Sequence, residues 1–63
     1  MFWLILYLDG TFMTWRVQKP VSTDFEKGTR CFKVDPETSL NEIADWVMYD
    51  YPDVKWAKEV KDW

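Results

Sequence analysis

The chain has 63 residues, eleven acids against eight bases, a net charge of −3 and no histidine. A chain of this length makes one small domain near the lower limit for folding alone, and the acid excess speaks against a general nucleic-acid binder, which carries a basic patch. A lone cysteine, Cys31, excludes an internal disulfide, so the chain is not a stapled secreted scaffold and a reducing, cytoplasmic setting is expected.

The first element is a β-hairpin over residues 2–17. The runs Phe2–Leu8 and Thr11–Val17 are rich in aromatic and branched side chains and flank Asp9-Gly10, the dipeptide that favours a two-residue type I′ turn. That turn would pair Leu8 with Thr11, Tyr7 with Phe12, Ile5 with Thr14 and Trp3 with Arg16. Strand side chains alternate between faces, so Phe2, Leu4, Leu6, Leu8, Met13, Trp15 and Val17 are expected to form a core face. The opposite face would hold Trp3, Ile5, Tyr7, Phe12, Thr14 and Arg16, with a Trp3–Arg16 cation–π contact across it. Met1–Leu8 is too short to span a bilayer, and it lacks the basic start and small-residue cleavage site of a signal peptide.

Residues 18–29 show no sustained period and read as a long loop, with a helical turn near Ser22–Lys27. Loops of this length in small domains are often functional, and Phe25 is either a buried lid anchor or an exposed partner anchor. Residues 30–35 follow as a third strand, with Phe32 and Val34 alternating around Lys33 and Pro36 ending the ladder.

A helix is expected over 39–50. Ser39 and Glu42 have capping-box spacing, and Leu40, Ile43, Ala44 and Val47, extended by Tyr51, give an apolar stripe with helical period. Glu42, Asp45 and Tyr49 fall on the opposite face, with Trp46 on the flank, and Pro52 stops the helix. Residues 54–62 fit a strand or a helix, the strand being preferred because Val54, Trp56 and Val60 alternate with charges. The expected fold is α+β in βββαβ order: a three- or four-stranded sheet with one helix packed on one face.

Little here points to catalysis, and no catalytic residue, cofactor or metal site is assigned. The chain has no histidine to act as general base or zinc ligand. Cys31 has no activating partner, and Gly10 and Gly28 lie too far apart to form a phosphate-binding loop. Glu42 and Asp45, three apart, have the spacing of an ordinary solvated helix face. Two surfaces remain. The face of Trp3, Ile5, Tyr7, Phe12 and Arg16 has the aromatic and arginine composition of protein contact sites. On this basis the expected protein is a small non-enzymatic interaction module that binds a partner or itself, as a homodimer. The alternative is an acidic inhibitor or nucleic-acid mimic that uses Glu42, Asp45, Trp46 and Asp50 to occupy a basic groove of a DNA- or RNA-handling enzyme. From Asp35 to Asp53 the acids are Asp35, Glu37, Glu42, Asp45, Asp50 and Asp53, with no base among them, and such a run is drawn to positive potential. Neither membrane association nor direct nucleic-acid binding is expected.

Overall fold

Strand β1 (Phe2–Leu6) lies inside a four-stranded antiparallel sheet, between β2 (Phe12–Trp15) and β3 (Arg30–Val34), with β4 (Ala57–Val60) beyond β3. The computed structural model describes all 63 residues. A short 3₁₀ turn, Ser22–Asp24, interrupts the loop between β2 and β3, and one helix, α1 (Leu40–Met48), lies between β3 and β4. The small α+β fold follows from these elements, and the final segment contributes a strand. No helix is long and apolar enough to cross a membrane.

The hairpin loop differs from the expected one by a residue. The Tyr7 amide donates to the Thr11 carbonyl at 2.9 Å and the Gly10 amide to the Tyr7 carbonyl at 3.1 Å, so Leu8, Asp9 and Gly10 together form the loop. A type I′ turn would need positive φ at both central residues. Here only Gly10, at φ 88°, has it. The Asp9 carboxylate accepts from the Thr11 amide at 2.9 Å and the Thr11 hydroxyl at 2.6 Å, closing an Asx-type turn that settles Thr11 opposite Tyr7. These bonds, the hydroxyl's first, hold the Asp9 carboxyl below its ordinary pKa.

A one-residue change of register moves every β2 side chain to the other face. The observed partners are Trp3–Trp15, Leu4–Thr14, Ile5–Met13 and Leu6–Phe12. Phe12, Thr14 and Arg16 therefore leave the face assigned to them, and Met13 and Trp15 take their places beside Trp3, Ile5 and Tyr7. The expected Trp3–Arg16 contact is absent. Arg16 instead sits 4.3 Å from the Phe2 ring centre, while Lys33 lies 6.0 Å from that of Trp3. Leu8 and Val17, expected in the core, are exposed, Val17 at 92%.

The helix side of the sheet holds the main core: Phe2, Leu4, Leu6, Phe32 and Val34 from the strands, met by Ile43 and Trp46 from α1. Ser39 caps the helix, its hydroxyl accepting from the Glu42 amide at 3.2 Å. The apolar stripe is rotated from the one expected. Ile43 and Trp46 are buried and Val47 is half-buried, while Leu40 is 59% exposed and Ala44 is also exposed. Trp46 brings far more apolar area to the contact than Ala44. Its indole N–H, which would be costly to bury alone, donates to the Pro52 carbonyl at 2.7 Å.

The other side of the sheet is covered too. Phe25 lies across it, its ring centre 6.3 Å from Tyr7, 5.9 Å from Trp15 and 5.4 Å from Trp63. The Ser22 amide ties the loop to the Trp63 carbonyl at 2.7 Å. Ile5 and Cys31, paired on this face, have no exposed surface.

Candidate functional site

Trp46 organises the end of the molecule where the helix meets the chain leading into β4. Its ring centre lies 4.8 Å from Phe32, 5.2 Å from Tyr51 and 5.5 Å from Trp56, with near-perpendicular contacts to Phe32 and Trp56 of the kind aromatic quadrupoles favour. The chain turns back onto Trp46 through a Schellman closure. Tyr51 donates its amide to the Trp46 carbonyl at 3.0 Å and Asp50 donates to Val47 at 3.4 Å, the paired bonds that end a helix when the next residue is left-handed. Asp50 and Tyr51 both have positive φ, 62° and 59°. This reversal brings Pro52, Val54 and Trp56 alongside α1.

Two hollows result, back to back around Trp46, Pro52 and Val54. One is an open groove of about 300 Å³ lined by Glu42, Asp45, Trp46, Tyr49, Pro52, Val54 and Trp56. In the other, Arg30 lies among Phe32, Tyr51 and Glu59. Its guanidinium donates through Nε and Nη2 to the two Glu59 oxygens at 3.0 and 2.7 Å. It also stands 5.0 Å from the Phe32 ring centre and 5.2 Å from that of Tyr51. The Arg30 hydrogen bonds hold the Glu59 carboxyl below its ordinary pKa, and Glu59 in turn raises that of Arg30.

The groove has no such cation. The ion pairs of the molecule are Arg30–Glu59 and Lys19–Asp62, so Glu42 and Asp45 carry unpaired charges above an aromatic floor. Tyr49, 71% exposed at the C-terminal cap of α1, forms one wall.

Of the acidic-helix residues, Glu42, Asp45 and Trp46 line one hollow, Trp46 as its buried floor rather than as a flank. Asp50 lies outside the lining, in the helix-ending turn. Of the sheet-face residues, Trp3, Ile5 and Tyr7 share a side, Phe12 and Arg16 are on the helix side, and Ile5 is fully buried. Sequence reasoning did not connect Pro52, Val54 and Trp56 with the helix. The signal available for it was Pro52, which bars the helix from continuing shortly after the turn that carries Trp46.

Cys31 offers no nucleophile, because burial pushes its thiol up to about 11, only partly opposed by the Lys19 charge. Nowhere do His, Cys, Asp or Glu side chains gather in threes to hold a metal ion. No protein-family model, curated protein or solved structure matches the chain.

Proposed function

We propose that this protein is a small non-enzymatic interaction module that receives a basic segment of a partner protein in the groove between α1 and residues 52–56. The observation that carries this reading is the pairing of two free carboxylates, Glu42 and Asp45, with an aromatic floor. Carboxylates on a rim speed the approach of a cationic partner, and aromatic surface holds it once water is displaced. Such a module acts as an acidic inhibitor wherever the captured segment is one its owner uses to grip nucleic acid. The sheet face supports partner binding less well, since Phe25 covers Tyr7 and Trp15.

The test is calorimetric titration with a twelve-residue peptide of alternating lysine, arginine and glycine, at several salt concentrations. Affinity is expected to fall steeply as salt rises. The Glu42→Gln/Asp45→Asn variant is expected to lose about tenfold in affinity at low salt, roughly 1.4 kcal/mol, whereas Trp3→Ala leaves binding unchanged. Salt-indifferent binding, or a loss confined to Trp3→Ala, would overturn the reading.

A further inference from the structure

We propose that the groove is specific for an arginine side chain, held by Glu42 and Asp45 and stacked on Tyr49 and Trp56. This rests on the groove being the binding site. The molecule itself supplies the comparison. On the far side of Trp46, the fold already holds one guanidinium, Arg30, forked onto Glu59 and set beside Phe32 and Tyr51. The open groove repeats that set of groups, with carboxylates at the rim and aromatic rings below, and shares Trp46, Pro52 and Val54 with the occupied hollow. No lysine or arginine of the chain lines it.

The ligand chemistry follows from the shape. The groove is broad and open, and its accessible aromatic surface belongs to Tyr49 and Trp56, because Trp46 is only 5% exposed. An ammonium gains most from a closed cage of rings, whereas a flat guanidinium can lie on a single ring face and direct its edge at carboxylates. Glu42 and Asp45, three positions apart on α1, project from the same helix side, so two donors of one planar group can each find an oxygen. About 300 Å³ accommodates one such side chain with part of its backbone.

The test is calorimetric titration at low salt with three capped peptides: tetra-arginine, tetra-lysine, and tetra-citrulline, which keeps the planar end group without the charge. Tetra-arginine is expected to bind about tenfold more tightly than tetra-lysine, since planar forked recognition is lost with lysine, and tetra-citrulline is expected not to bind. Tyr49→Ala, a change at an exposed ring, should bring arginine down to the lysine level without altering the thermal midpoint. Glu42→Gln/Asp45→Asn should weaken both cationic peptides. Equal affinity for arginine and lysine, abolished by the double variant, would overturn the arginine preference while leaving the basic-segment reading standing. Arginine binding that is indifferent to the double variant, or no binding by either cationic peptide, would overturn both.

Discussion

At Asp50 the backbone is left-handed at the residue immediately after the helix cap, where glycine is the favoured occupant. Aspartate tolerates that conformation better than most residues, but its negative charge also stands at the wrong end of the helix dipole. Asp50→Gly is therefore expected to stabilise the protein by about 0.5–1 kcal/mol, seen as a higher urea midpoint with an unchanged slope. A lower midpoint would show that the Asp50 side chain makes a contribution the backbone argument misses. Because Asp50 lies outside the groove lining, the same variant should bind basic peptides as the parent does. Residues of this kind were only partly legible. Ser39 and Glu42 announced the start of the helix, and the structure shows the cap. Trp46 was misplaced because helical period alone ranks positions by angle, and the stripe rotated toward the side chain with the largest area to bury and a hydrogen bond available for its indole.

Between elements, β3 and β4 are joined by their ladder and by the Arg30–Glu59 fork above it. Arg30 and Glu59 are partly exposed, at 41% and 27% of their side chains, so the pair is worth what partly solvated pairs are worth, about 0.5–1 kcal/mol. Glu59→Gln should cost that much at neutral pH. The pH dependence has a definite sign. The folded-state pKa of Glu59 lies below its ordinary 4.5, so its contribution is complete above that value and disappears as pH falls through the folded one. Urea midpoints measured from pH 7 down to pH 3 should converge for the parent and Glu59→Gln; parallel curves would deny the pair this role. The strands themselves were readable from alternation, and the hairpin from Asp9-Gly10. The register was not, because the Asp9 carboxylate bonds Thr11 and selects a three-residue loop, and that local hydrogen bond outweighs the dipeptide preference. One residue of loop length decided which aromatics share a side.

For the whole molecule, the sheet is covered by α1 on one side and in part by Phe25 and Trp63 on the other, where Met13 stays exposed. The sequence left Phe25 as either a lid anchor or a partner anchor; it is the lid, because its ring reaches three others at once, a contact that no local pattern encodes. Phe25→Ala should cost about 2 kcal/mol, below the range for a fully buried phenylalanine because this one is half-buried. It should also uncover Tyr7, Trp15 and Ile5. Sedimentation equilibrium is expected to show that this variant self-associates more than the parent, since uncovered apolar surface of this kind seeks a partner. An unchanged mass at lowered stability would mean that the remaining loop still shields the face.

The strand order also leaves the sheet with two unlike borders. β4 carries Lys58 and Glu59 along its length, while β2, Phe-Met-Thr-Trp, carries no charge at all. Fibrils lengthen by adding strands at both ends of a stack, and charged side chains are the usual guard against it. Here only one border carries such a guard, so a pairing of two molecules through β2 would leave both outer borders charged.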